Sequence, residues 1–311
     1  MTDRSLCGWR VRCDIPLPDL LPWTEGDREV ELTIGIGPAP RLSRGRSFES
    51  PILQVAQDGS CRYEVPGVAT YLVRGGNSIV IDPVTDLTSP AVRVFLLGSV
   101  FGIVCHQRGL IPLHASCVDV GGVAIAIAGP SGFGKSTLAS AFVGEGHFML
   151  SDDVTVIDQT DPTRTMALPT FPRLQLSAAS LEAARQSNGD DALEQSGYGQ
   201  DKISIRTEEA FQTKPLPLGG IYHLALAGPA EKTRIAPIPL KSAVGHVYES
   251  VYRRNVAEHL GKARALFANV ARLVSALGET YTLVCPRRID CLAETVDRIT
   301  TRHRRAERTG P

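Results

Sequence analysis

Residues Gly129, Pro130, Ser131, Gly132, Phe133, Gly134, Lys135 and Ser136 fit the spacing G-x-x-x-x-G-K-[ST], and Thr137 adds a second hydroxyl. An apolar run, Val123 to Ala128, precedes them and a helix-forming stretch, Lys135 to about Val143, follows. In that context the spacing makes a phosphate-binding loop (P-loop) rather than a bare helix start. Its chemistry is anion binding: loop N–H groups and the positive end of the helix dipole converge, and Gly132 and Gly134 let a triphosphate come close. Lys135 can reach the β- and γ-phosphates, and the Ser136 hydroxyl can ligate Mg²⁺. A dinucleotide fingerprint fits less well, because Thr137 stands where its third glycine belongs.

Asp152 and Asp153 follow apolar Phe148, Met149 and Leu150 and precede a second apolar run. Carboxylates at the end of a strand beside the loop need a cation or hydrogen-bond donors, and Mg²⁺-nucleotide brings the cation. Because neighbouring strand residues point to opposite sides, one carboxylate can hold Mg²⁺ while the other takes a proton from an attacking hydroxyl. The plainer alternative is a solvated Asp-Asp turn. His114 lies on the strand expected to pair with the loop strand. A lone histidine there is more often a hydrogen-bonded core residue, yet beside the acidic pair it can orient a carboxylate or accept its proton. Lys202 and Arg173 are candidates for a further cation on the transferred phosphoryl group, whereas Arg253 and Arg254 read as a solvated helix face. The other six histidines show no metal-ligand spacing.

The elements that must hold these residues can be read from periodicity. Two β-runs, Ile111 to Val120 and Val123 to Ala128, are joined by Gly121 and Gly122 and predict a hairpin. The second run is apolar throughout and predicts a strand buried on both faces. With the loop, its helix and the strand from Phe148, this makes an α/β core. Residues 1–90 alternate in short stretches punctuated by proline and glycine, a β-rich N-terminal lobe; its ten basic and twelve acidic side chains up to Arg93 offer no polyanion surface. Residues 91–297 form the expected catalytic domain, opening on a buried helix from Val92 to Cys105. Beyond the core, Ser177 to Gln186 reads as helix, Ser187 to Gln200 as a mobile polar loop, Leu216 to Ile238 as strands, and 242–257 and 263–277 as helices. Residues 298–311 read as a basic, solvated C-terminal tail with five arginines between Arg298 and Arg308.

Composition narrows the class. The 311 residues exceed what one hydrophobic core usually supports, and 43% hydrophobic with 21% charged residues is ordinary for a globular chain. Thirty-three basic against 33 acidic residues give zero formal charge, so neither nucleic acid nor a membrane surface is expected as partner. The longest nearly apolar run, Val94 to Cys105, is about twelve residues, short of the roughly twenty a membrane helix needs. Seven scattered cysteines, with no paired CxxC spacing, argue against a zinc site or a disulfide framework. The first residues carry charges and no signal-peptide core, so a cytoplasmic protein is expected.

Three stretches taken together, Leu113 to Val123 with His114, the loop Gly129 to Thr137, and Gly146 to Asp153, resemble the catalytic core of the HPr kinase/phosphorylase family in order and spacing. Gln107 to His114 and Phe171 to Leu176 look more like the HPr-kinase-like enzymes of lasso-peptide biosynthesis, which phosphorylate a precursor peptide at its C-terminal serine. The resemblance covers about residues 95–180. It implies that Gly129 to Thr137 hold nucleotide, that Asp152 is the catalytic acid/base, that Asp153 lies near Mg²⁺ and that His114 assists the carboxylate. Two departures stand out: HPr kinases usually carry Glu after Lys-Ser, where this chain has Thr137, and the downstream signature of the phosphorylase activity is not found. The expected function is therefore an ATP- or GTP-dependent, Mg²⁺-requiring kinase of a serine hydroxyl on a peptide. A kinase of a folded protein or small molecule, and a nucleotide-gated regulatory protein, are the alternatives. A homo-oligomer is compatible with either reading.

Overall fold

A computed structural model describes residues 2–42, 45–178, 180–182, 193–195, 202–228, 231–286 and 288–308. Contacts divide the chain into two units: Met1–Pro112 with Ser196–Gln200 and Val251–Asn269, and Leu113–Gln195 with Asp201–Ser250 and Val270–Pro311.

The first unit is built on a nine-stranded sheet in the order Leu21–Pro22, Thr2–Leu6, Trp9–Cys13, Leu32–Ile36, Ser78–Pro83, Ala69–Arg74, Cys61–Val65, Leu53–Ala56 and Arg46–Glu49. Trp9–Cys13 alternates between buried and half-buried positions, as a strand with one covered face requires. The cover includes the helix Pro90–Phe95, which runs through a π-turn at Leu96–Val100 into Phe101–Arg108. Ser89 caps its start and Pro90 occupies the first turn, where a missing N–H costs nothing.

This helix sits in the first unit rather than opening the second, as the break near residue 90 had it. Its partners decide the matter: Tyr71 donates its hydroxyl to the Val92 carbonyl at 2.9 Å, Arg93 pairs with Asp19 at 2.9 Å, and Arg108 donates to the Gly76 carbonyl at 2.6 Å. Pro90–Arg108 is longer than its nearly apolar run. By length and composition alone it could cross a membrane, yet 72% of its most apolar window is buried.

The second unit is a mixed α/β layer. Its sheet runs Thr155–Asp158, Met166–Leu168, Leu216–Ala227, Val123–Ala128, Ala115–Val120, Phe148–Ser151, and Thr280–Pro286 also pairs with Leu216–Ala227. Val123–Ala128, Leu216–Ala227 and Thr280–Pro286 are mutually parallel neighbours. Ala115–Val120 and Val123–Ala128 form the hairpin anticipated at Gly121 and Gly122, with Val120 opposite Val123, but the expected arm from Ile111 breaks at His114, which stands just before the paired strand, and Ile111–Leu113 is a separate strand. The parallel strands are apolar because helices cover them: Ile125, Ala126, Ile127 and Ile221 are fully buried.

Lys135–Gly144 follows the loop as a helix, and Leu292–Arg308 packs as another. The latter absorbs the expected basic tail: Val296 and Ile299 are buried on one face, Arg298 pairs with Glu294 at 2.8 Å, and Arg302 lies over the Tyr281 ring at 4.6 Å. The helix expected over 242–257 is two, Leu240–Glu249 and Arg254–His259, separated by a turn in which Arg253 takes a left-handed φ of 51°. Arg173–Ser177 is a strand paired with Lys202–Arg206, and the described residues after it, 178 and 180–182, are helical, as expected from Ser177 onward. Most of the polar loop Ser187 to Gln200 lies outside the described residues.

Candidate active site

The loop between Val123–Ala128 and Lys135–Gly144 can only be made with glycine at its bends. Gly134 has φ 93° and caps the helix, and Gly129 has φ 149°. A Cβ on Gly129 would stand 3.1 Å from the Leu224 carbonyl oxygen of the neighbouring parallel strand, so the chain turns here against backbone. This places Lys135 and Ser136 in the first helical turn, where unpaired N–H groups collect.

Lys135 is buried, and its ammonium donates to the carbonyls of Gly129 at 2.9 Å and Pro130 at 3.1 Å. It also lies 3.1 Å from His114 Nε2. An ammonium has no lone pair to offer, so His114 Nε2 accepts and Nδ1 carries the ring proton. That Nδ1 lies 3.1 Å from the Asp153 carbonyl oxygen and 3.3 Å from Asp153 Oδ1. The backbone of His114 is fixed by its N–H donating to the Ser250 carbonyl at 2.7 Å. A line of contacts thus runs from the loop ammonium through a neutral imidazole to a partly exposed carboxylate.

Asp152 is placed differently. It is 2% exposed, and its Oδ1 accepts from the Ser116 hydroxyl at 2.6 Å and the Ser136 hydroxyl at 2.9 Å, while Oδ2 accepts from the Gln175 N–H at 2.9 Å. Three donors offset the burial of a carboxylate that would otherwise be costly. The two aspartates reach the same loop because they do not continue the strand Phe148–Ser151. Val154 N–H donates to the Asp152 carbonyl at 2.8 Å, closing a γ-turn with Asp153 at its centre and φ 68°. Strand alternation, the expected way of separating them, is not what does so.

The Ser136 hydroxyl and the Asp152 carboxylate are hard oxygen donors side by side, the kind that Mg²⁺ takes one or two of when phosphates supply others. Among the described residues no group of three or more His, Cys, Asp or Glu could hold a metal ion. Ser136 and Asp152 supply two oxygen donors of that kind.

Thr137 points elsewhere, its hydroxyl 2.8 Å from Ser180 Oγ. Arg173 is buried with its guanidinium over the Phe171 ring at 4.9 Å, on the strand whose Gln175 N–H serves Asp152. Lys202 lies in that strand's partner, its backbone opposite Ser177. Pro130, Ser131 and Phe133 complete the loop. Ser116 and Gln175 were not singled out from sequence. Ser116 stands two residues beyond His114, and period-two spacing is the signal that could have found it; a backbone donor such as Gln175 leaves none.

Residues 110–171 match the family model described as HPr Serine kinase C-terminal domain. An HPr kinase/phosphorylase of Chlorobium luteolum is 43% identical over 101 residues, 32% of this chain and 26% of that protein. One from Chlorobium limicola is 46% identical over 91 residues, 29% of this chain and 23% of the relative. The putative HPr kinase/phosphorylase 2 of Oceanobacillus iheyensis is 45% identical over 47 residues, 15% of each. The chain thus spans about a quarter or less of these relatives. Among solved structures, the HPr(Ser) kinase/phosphatase from Coxiella burnetii aligns with a TM-score of 0.30 at 13% identity, covering 64% of this chain and 99% of that one.

Proposed function

From the premise that this is an HPr kinase-like protein across residues 110–171, we propose that it transfers the γ-phosphoryl group of a nucleoside triphosphate to a serine hydroxyl. The acceptor we propose is a peptide serine, the C-terminal serine of a lasso-peptide precursor, and the setting is the cytoplasm. The observation that carries the reading is the contact line Lys135, His114, Asp153 running beside the Asp152–Ser136 pair.

In this reading the residue roles differ from those the family resemblance implies. Asp152 is enclosed by three donors, one of them the Ser136 hydroxyl, so we assign it with Ser136 to holding Mg²⁺. Asp153 is the more exposed carboxylate and is assigned as proton acceptor. Mg²⁺, when bound, neutralises charge on the triphosphate. Lys135 exchanges its loop carbonyls for phosphate oxygens and balances the charge that builds on them. His114 Nδ1–H holds the Asp153 carboxylate in orientation. As the serine oxygen bonds to the γ-phosphorus and the bond to the β-phosphate oxygen breaks, the hydroxyl proton passes to Asp153. Arg173 and Lys202 are proposed to lie near the transferred group, contributing cations to it.

The test is incubation with Mg²⁺, ATP and a precursor-like peptide ending in serine, with HPr as a parallel acceptor. Mass spectrometry should find one phosphate on the terminal serine, lost when that serine is replaced by alanine. Modification of HPr with the peptides untouched would remove the peptide reading and leave a protein kinase; modification of neither would remove the transferase reading.

A further inference from the structure

We infer that His223 and His246 form a binding site for a divalent transition-metal ion of the zinc, copper or nickel class, on the opposite face of the sheet from Ser116 and the Asp152 carboxylate it serves. The inference stands independently of the phosphoryl-transfer reading.

The sheet register separates the two faces. Ser116 is opposite Ile127 and Ile127 is opposite Tyr222, while Ala115, Ala128 and His223 form the next row. Successive strand residues point to opposite sides, so His223 faces away from the side on which the Ser116 hydroxyl donates to Asp152. On its own side it meets His246 of the helix Leu240–Glu249, with ring centres 5.5 Å apart and planes tilted by 51°. An ion about 2.0–2.1 Å from one nitrogen of each ring, at a near-tetrahedral angle, holds two imidazole centres about 5 Å apart. The pair is therefore already spaced for a shared ion.

A second observation points to a ligand. His223 is 9% exposed, and its Nε2 is buried with no hydrogen-bond partner among the described residues. Elsewhere in the chain ring nitrogens are met: His106 Nε2 lies 2.9 Å from the Tyr252 carbonyl oxygen, His147 Nδ1 3.2 Å from that of Asp119, and His303 Nε2 2.9 Å from the Tyr222 hydroxyl. An unmet buried nitrogen costs stability in either tautomer, and a metal ion is a partner that removes the cost. Burial, with His246 beside it, lowers the pKa of His223 to about 4, so at neutral pH the ring is in the form that ligates metal. His246 is exposed, which leaves the ion's remaining positions to water. Imidazole selects zinc, copper or nickel over Mg²⁺, which prefers oxygen. The ion ties the strand beside the loop strand to a helix whose next residue, Ser250, accepts the His114 N–H at 2.7 Å.

Two substitutions test this in the full chain, without nucleotide. Calorimetric titration with Zn²⁺ should show saturable binding that His223→Gln and His246→Gln each weaken about tenfold or more. The urea midpoint of the unmodified chain should rise with Zn²⁺ concentration, and that of either variant should not. About a hundredfold excess of Mg²⁺ should leave the Zn²⁺ titration unchanged. Circular dichroism checks the fold of His223→Gln; His246 is exposed, so His246→Gln decides the matter if the buried substitution disrupts the chain. Absence of Zn²⁺ binding, or binding undiminished in His246→Gln, would overturn the inference. Displacement of Zn²⁺ by Mg²⁺ would overturn it too and put the ion on Ser136 and Asp152 instead. None of these outcomes bears on whether the chain transfers phosphate.

Discussion

The two flanks of the phosphate loop are made of opposite materials. Toward Phe148–Ser151 lies a polar cluster in which a buried carboxylate is met by two hydroxyls and a backbone N–H. Toward Thr280–Pro286 lies a cavity walled largely by apolar side chains. Charge in a low-dielectric setting must be matched donor by donor, so the polar flank is organised before any ligand arrives. An apolar wall makes no such demand and holds a ring by contact alone. The proposed division follows from that difference. Groups that interact more strongly with the transition state than with the substrate raise kcat, whereas groups that hold both equally lower KM. Substitution of the proton acceptor or of the loop lysine on the polar flank should therefore act on kcat, that of Asp152 on the affinity Mg²⁺ adds, and those in the cavity on KM.

The largest expected effect is on Asp153. Asp153→Asn should lower kcat for the serine-ending peptide by roughly 10²–10⁴-fold, the usual worth of a positioned base, with ATP affinity little changed. A fall in ATP affinity as large as the fall in kcat would erase the contrast between the flanks. Lys135→Ala should come next, losing about 10²–10³-fold in kcat through uncompensated phosphate charge.

Gly129→Ala bears on both flanks, since the loop pivots there. With φ 149° and the Leu224 carbonyl oxygen 3.1 Å from the added Cβ, it should cost about 1–3 kcal/mol in urea unfolding and weaken ATP and tripolyphosphate alike. Weakening of ATP alone would place the strain in the cavity rather than in the loop.

The smallest effect is a slope. His223 is opposite Ala128, the last residue of the loop strand, and burial, with His246 beside it, lowers its pKa to about 4. An unfolded histidine titrates near 6.5, so between these values the unfolded chain binds the extra proton. Stability contributed by neutral His223 is then complete above about pH 6.5 and declines as pH falls toward 4, by at most about 1.4 kcal/mol per pH unit. Denaturant midpoints across that range should fall more gently in His223→Gln. An unchanged slope would mean that other groups set it.

How much of this could be read from sequence depended on how local each feature is. The glycine loop after Ala128 was legible because its motif is contiguous in sequence, and so was the hairpin at Gly121 and Gly122. The acidic pair was legible as a pair, but the way its members are separated was not, because that rests on a γ-turn and on donors from Ser116, Ser136 and Gln175. The helix Pro90–Arg108 is legible as buried, but its partners Asp19, Tyr71 and Gly76 lie far before it in sequence, on the near side of the break expected around residue 90. The arginines from Arg298 on read as a tail because their charge masks the spacing of Val296 and Ile299, which are buried on one helix face. The cavity had no sequence signal: its walls come from four stretches between Gly132 and Leu292.

The central claim is the assignment of Asp152 to the metal and Asp153 to the proton, and the Mg²⁺ dependence of ATP binding tests it most directly. Calorimetric titrations with and without Mg²⁺ should be run on the unmodified chain, Asp152→Asn and Asp153→Asn, each checked for native circular dichroism. The account predicts that Asp152→Asn loses most of the gain in affinity that Mg²⁺ confers, while Asp153→Asn keeps it and loses turnover. Loss of that gain in Asp153→Asn, with Asp152→Asn retaining it, would contradict the account and restore the opposite assignment.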